Sequence, residues 1–128
     1  MSPEELVQAA LAVRERAYAP FSKYLVGAAL LTKSGNVYTG CNVENSSYGL
    51  TVCAERNAVF KAVSEEGKIE VEAIAVVTRD LASMCGACRQ VVNEFGPKAK
   101  VYLADCDGNV NATSVDALLP GAFRFEND

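Results

Sequence analysis

Two short segments hold the residue types that do chemistry: Cys53-Ala54-Glu55 and Cys85-Gly86-Ala87-Cys88. Each lies where a loop enters a predicted helix after a strand, the edge at which open α/β sheets bind ligands. A helix N-terminus lowers a thiol's pKa from its ordinary value near ~8.5 and so favours the thiolate. Cys85 and Cys88 are three positions apart, which puts both on one side of their helix start. With Cys53 they offer three thiolates to Zn²⁺ and leave its fourth position open. Structural zinc sites are usually closed by four protein ligands, whereas catalytic sites keep one position for water or substrate. Glu55 is too near Cys53 to chelate comfortably beside it. It is well placed to exchange a proton with water at the open position, since zinc brings the pKa of such water to about 7. Three thiolates and one divalent cation sum to a negative charge. Arg56, donating to sulfur from the next position, would offset that excess.

The chain has no histidine. A general acid or base acting near neutral pH must therefore be a shifted carboxylate, Lys, Tyr, Cys or water. Any metal must be held by sulfur or oxygen. Cys41 and Cys106 are the remaining cysteines, each near a predicted strand end away from the two helix starts. CxxC alone also occurs in redox and structural zinc sites. A non-catalytic zinc module and a thiol–disulfide role for Cys85 and Cys88 thus stay open on these residues. Glu55 separates the readings, because a purely structural module has no use for it.

These segments need elements to position them. Ser2, Pro3, Glu4 and Glu5 form a helix start. Apolar Leu6, Ala9, Ala10 and Val13 carry that helix to about Ala17, and Ala19-Pro20 ends it. Tyr24 to Thr32 and Val37 to Asn42 read as a β-hairpin about the turn at Lys33 to Asn36. Residues 43–51 read as a loop, Cys53 to Ser64 as a helix and Val71 to Thr78 as a strand covered on both faces. A loop at 79–84, a helix from Cys85 to Phe95 and a strand from Lys100 to Ala104 follow. A weak strand near Val110, a short helix from Ser114 to Leu119 and a tail complete the chain. Strands alternating with helices predict an α/β fold with a sheet between helix layers.

The 128 residues suit one domain, residues 1–128, and the apolar half and 22% charged fraction are those of an ordinary globular protein. A net charge of −4 and the lack of any long basic run disfavour nucleic acid and favour a small, weakly charged substrate. No segment reads as a signal peptide or approaches the roughly 20 apolar residues of a membrane span. A cytoplasmic location with reduced cysteines is expected.

The sequence also resembles the cytidine deaminase family in its short, single-domain form. The resemblance rests on Tyr18 to Leu30 (YAPFSKYLVGAAL), Gly40 to Asn45 (GCNVEN), Cys53 to Arg56 (CAER), Cys85 to Gln90 (CGACRQ) and Leu118 to Phe123 (LLPGAF). It implies a three-layer α/β/α sandwich with a five-stranded mixed sheet, and a homotetramer whose sites are completed by neighbouring subunits. It implies hydrolysis of cytidine and deoxycytidine to uridine and deoxyuridine with release of ammonia, a step of pyrimidine salvage. By position, Cys53, Cys85 and Cys88 would bind one Zn²⁺ per subunit, and Glu55 would shuttle protons. Asn42 and Glu44 would hold the ribose 3′-hydroxyl. The backbones of Ala54 and Ser83 would hold the pyrimidine edge. Tyr24, where the family often has Phe, would pack on the base, and Tyr48 and Phe123 would reach a neighbour's site.

Without the resemblance, Asn42 and Glu44 read rather as turn residues, and Tyr24 and Phe123 as core aromatics. An aminopyrimidine antibiotic such as blasticidin S is a rival substrate, although Asn42, Glu44 and Tyr48 favour a nucleoside. One departure stands out. Met84 occupies a position where the family usually has Pro directly before the CxxC. Pro fixes φ and removes an N–H, so Met predicts a freer loop around Ser83.

Overall fold

Ser2 starts the chain's first helix by a reciprocal cap. Its hydroxyl accepts the Glu5 N–H at 3.2 Å, and the Glu5 carboxylate accepts the Ser2 N–H at 3.0 Å. Helix α1 spans Pro3–Arg14 in a computed structural model that describes residues 1–125 of the chain. Glu126, Asn127 and Asp128, the end of the predicted tail, lie outside the described residues. The helix stops short of the expected Ala17. The N–H groups of Arg16 and Ala17 turn to the carbonyls of Val13 and Arg14, closing tighter turns. The Arg14 Nε donates to the Leu25 carbonyl at 3.1 Å, which ties that end to the following loop.

Five strands follow the expected order: β1 (Gly27–Thr32), β2 (Val37–Cys41), β3 (Val71–Val77), β4 (Lys100–Ala104) and β5 (Val110–Ser114). They form one mixed sheet ordered β2-β1-β3-β4-β5, with β3 and β4 parallel and the other pairs antiparallel. Strand β1 begins at Gly27 rather than Tyr24, because a side chain replaces the ladder there. Asn42 Oδ1 accepts the Val26 N–H at 2.9 Å, and Asn42 Nδ2 donates to the Tyr24 carbonyl at 2.8 Å.

Alternation along the strands sorts residues by size. Ala29, Ala73, Ala75, Val77 and Ala104 face α1, whose Leu6, Val7 and Ala10 are buried against them. Ala28, Leu30, Ile74, Val76, Val101 and Leu103 face the opposite layer. That layer comprises α2 (Ala54–Glu66), α3 (Gly86–Phe95) and the short α4 (Val115–Leu118). The result is the expected three-layer α/β/α sandwich. Burying each Leu, Ile or Val in these layers contributes roughly 1.5–3 kcal/mol. The predicted loop at 43–51 contains one 3-10 turn, Tyr48–Leu50, and Val43 bridges to both Tyr18 and Val52. Among the described residues, no helix is long and apolar enough to cross a membrane.

Candidate functional site

The site is built where α2 and α3 begin. Cys53 is the N-cap of α2 and Cys85 the N-cap of α3, so both sulfurs sit at the positive ends of helix dipoles. Cys88 follows in the first turn of α3 and is buried. Gly40 on β2 allows α2 to settle here. A Cβ at residue 40 would lie 2.5 Å from both the Ala54 carbonyl oxygen and the Ala58 nitrogen. Any side chain there would push away the turn that carries Glu55.

The three sulfurs lie within 4.8 Å of one another, with Cys53 and Cys85 3.8 Å apart. Two thiolates at ~2.3 Å from a tetrahedral zinc stand roughly 3.8 Å apart, so the donor set fits that ion. Hydrogen bonding from Cys88 draws the Cys53 thiol down to about 5 despite burial, with Arg56 and Cys85 helping. Cys88 is pushed up, first by the same bond and then by burial. The two thiols thus shift in opposite directions, the lowering falling on Cys53. A bound cation would replace the thiol protons.

Arg56 Nη2 donates to the Cys53 sulfur at 3.4 Å, and that contact raises the guanidinium pKa. Its Nε is buried and has no hydrogen-bond partner among the described residues. Glu55 is 4% exposed. Burial pushes its carboxyl up to about 7, and the negative Cys53 adds to the shift. Its own backbone N–H and Arg56 pull the other way. Burial thus places a proton-exchanging group near neutrality in a chain without histidine.

Asn42 and Glu44 follow the end of β2, where both already serve the fold. The Asn42 amide holds residues 24–26, as above. Glu44 Oε1 accepts the N–H groups of Phe21 at 2.9 Å and Ser22 at 3.2 Å, and its Oε2 accepts the Ser22 hydroxyl. Hydrogen bonding from Ser22 holds this carboxyl below its usual range. Ala54 is buried beside the sulfurs, and Ser83 lies on the exposed loop leading to Cys85. Tyr24 is half-buried, with its hydroxyl on Asp80. Tyr48 and Phe123 are 76% and 67% exposed, so Phe123 is no core aromatic.

Two findings lay beyond the sequence. Met84, expected to free the loop around Ser83, is packed and bonded. Met84 is 2% exposed in the core, and its carbonyl accepts Arg89 Nε at 2.7 Å. Arg89 also donates to the Leu118 carbonyl at 2.8 Å and to the Ser83 hydroxyl at 3.1 Å. One guanidinium thereby fixes the loop before Cys85 and the C-terminal segment together. Its only signal in the sequence is its place directly after the CxxC. Cys41 and Cys106 stand outside the sulfur cluster, as expected. A cavity of about 760 Å³ lined by Lys33, Glu70, Phe95, Pro97 and Lys100 contains none of the residues singled out above.

Fold and cluster together define an α/β protein with three cysteine sulfurs close enough to hold a metal ion and a buried carboxyl, Glu55, next to them. The family described as the cytidine and deoxycytidylate deaminase zinc-binding region matches residues 1–104. A cytidine deaminase of Halalkalibacterium halodurans is 52% identical over 130 residues, covering 99% of this chain and 98% of its own. A cytidine deaminase of Sporosarcina psychrophila is 50% identical over 130 residues, covering 99% of this chain and 95% of its own. The crystal structure of cytidine deaminase from Burkholderia pseudomallei superposes with a TM-score of 0.89 at 50% identity. It covers 96% of this chain and 100% of its own. This chain belongs to the cytidine and deoxycytidylate deaminase family.

Proposed function

We propose that residues 1–128 form one catalytic domain that hydrolyses cytidine and deoxycytidine to the uracil nucleoside and ammonia. The observation that carries this reading is the pairing of Glu55 with the sulfur cluster. A buried carboxyl poised near neutrality stands beside three thiols, and no fourth ligating side chain joins them among the described residues. Cys53, Cys85 and Cys88 hold one Zn²⁺, and the bound ion supplies water activated to a pKa of about 7. Glu55 carries protons to the ring nitrogen and then to the departing amine. Arg56 keeps Cys53 anionic by donating to its sulfur.

Substrate contacts follow from the valences that remain. Asn42 Nδ2 has a second hydrogen, and Glu44 Oε2 a further lone pair. Together they bind the sugar 3′-hydroxyl. The backbones of Ala54 and Ser83 hold the pyrimidine edge, and Tyr24 supplies a ring for the base to pack on. Tyr48 and Phe123, large and exposed, face neighbouring copies in a homotetramer. The enzyme works in the cytoplasm on free nucleosides in pyrimidine salvage.

The test is the loss of ultraviolet absorbance when purified protein meets cytidine, deoxycytidine or blasticidin S, with zinc measured in the same sample. Turnover of both nucleosides, near one zinc per chain and silencing by a chelator are expected. Undiminished turnover in protein stripped of metal would overturn the reading. Turnover of blasticidin S alone would overturn the substrate assignment.

A further inference from the structure

The loop between β3 and α3 carries Ser83 and ends at Cys85, and two separate devices hold it. Arg89 grips its far end through the Met84 carbonyl and the Ser83 hydroxyl. The near end is organised by Thr78, which is buried. Its Oγ1 accepts the Ala82 N–H at 2.9 Å and donates to Asp80 Oδ1 at 3.3 Å. Leu81 takes a φ of 60°, a left-handed conformation uncommon outside glycine, which this turn keeps in place.

This near end also reaches across to Tyr24, 56 positions earlier. The Tyr24 hydroxyl donates to Asp80 Oδ1 at 2.5 Å. The Arg79 guanidinium carbon lies 5.0 Å from the Tyr24 ring centroid, within cation–π range. Burial and the Asp80 bond raise the tyrosine pKa, and the same bond lowers that of Asp80. The pair is therefore a neutral phenol donating to a carboxylate at neutral pH. Behind the ring, the Tyr24 N–H donates to Ser22 Oγ, and its carbonyl accepts from Asn42.

We infer that the Tyr24 hydroxyl and Asp80 form a clasp that fixes the base-packing ring relative to the Ser83 loop, making Asp80 a positioning residue for substrate binding. The inference rests on the nucleoside reading proposed above. The clasp lies at the surface, outside both apolar cores, so the fold gains little from it. What it does set is the gap between the two groups that would face a pyrimidine, the Tyr24 ring and the Ser83 backbone. A phenylalanine at 24 would keep the ring and lose the tether. The clasp and Arg89 together account for an ordered loop where Met84 replaces a rigid proline.

Zinc-loaded wild type, Tyr24→Phe, Asp80→Asn and the double variant are compared by steady-state kinetics on cytidine and by zinc content. Tyr24→Phe is expected to raise KM about tenfold, and Asp80→Asn, whose amide oxygen still accepts from the hydroxyl but without charge, to raise it less, with kcat and zinc content unchanged in both. The double variant is expected to be no worse than Tyr24→Phe alone, because without the hydroxyl the change at Asp80 has no clasp left to weaken. Should Asp80→Asn fail to fold, Tyr24→Phe and Asp80→Glu, which keeps a carboxylate and is expected to raise KM by less than Tyr24→Phe, carry the test. An unchanged KM in Tyr24→Phe, additive losses, or a fall in kcat or zinc overturns the clasp while leaving the deaminase reading intact. A zinc-loaded wild type that does not deaminate cytidine overturns that reading, and the inference with it.

Discussion

Glu44 and Glu55 are both carboxylates near the ends of the β1–β2 hairpin, yet their surroundings push them in opposite directions. Glu44 lies at the surface among donors: two backbone N–H groups and a serine hydroxyl. These favour its charged form and hold its pKa down. Glu55 is buried beside sulfur, where desolvation favours its neutral form. The first is a fixed anion that organises the Phe21 to Tyr24 loop. The second can take up and give back a proton near neutral pH. Two carboxylates with pKa values driven apart are two roles, and burial against hydrogen bonding decides which is which.

The sharpest way to break this comparison is Glu55→Gln. The amide keeps the shape and removes the proton carrier. Turnover of cytidine should fall by roughly 10²–10⁴-fold while zinc content holds. The melting temperature should not fall, because a desolvated acid has been removed. Full turnover would end the assignment of Glu55 as carrier.

Glu44→Ala should act differently and less. It strips three hydrogen bonds from the loop and one candidate sugar contact. KM should rise about tenfold, kcat should change little, and thermal stability should drop. The same carboxylate gives a pH signature with a definite sign. Its folded pKa lies below the unfolded value, so its contribution is present above the unfolded pKa near ~4.3. That contribution is lost as pH falls through the lower, folded value. Amide exchange at Phe21 and Ser22, corrected for intrinsic rates, should speed up over that acid range in wild type and be fast throughout in Glu44→Ala. Protection that survives equally in both would mean that Glu44 does not hold the loop.

How far these contrasts were legible beforehand depends on range. Cys53, Glu55, Cys85 and Cys88 could be read because their meaning is local: spacing, helix starts, and no histidine to compete. The order of strands and helices along the chain followed from periodicity and turn signals, and the layers from their alternation. The five-stranded mixed sheet was implied by the family resemblance, and the order of strands within it is read only from the structure. The committed valences of Asn42 and Glu44 could not be read, because their partners Val26 and Ser22 are 16 and 22 positions away. The starting point of β1 was lost with them, since the Asn42 amide side chain takes up the Val26 N–H and the Tyr24 carbonyl. Arg89 and Asp80 were missed for the same reason. Both act on backbone or on a distant hydroxyl, and neither kind of partner leaves a spacing pattern. Met84 shows a second limit. A Met in place of the family's usual proline argued for looseness from φ alone, but that argument leaves out the core packing of Met84 and the Arg89 contacts, which are tertiary.

A third carboxylate refines the comparison by having no site nearby. Glu66 closes α2, eleven residues beyond Glu55, which is roughly 16 Å along the helix. It accepts from Asn36 Nδ2 at 2.9 Å, Ser34 Oγ at 2.7 Å and the Tyr38 hydroxyl at 2.8 Å. Those bonds, Asn36 first, hold its pKa down, as Ser22 does for Glu44. If donors rather than sulfur set the behaviour of Glu44, then Glu66 must share its acid sensitivity and none of its kinetics. Glu66→Gln removes a charge that several donors converge on, so the β1–β2 turn should loosen and the melting temperature fall slightly. KM and kcat for cytidine should match wild type. A changed KM would mean that the hairpin transmits strain to the Asn42 end, and that the two roles of carboxylate in this fold are not separable by distance.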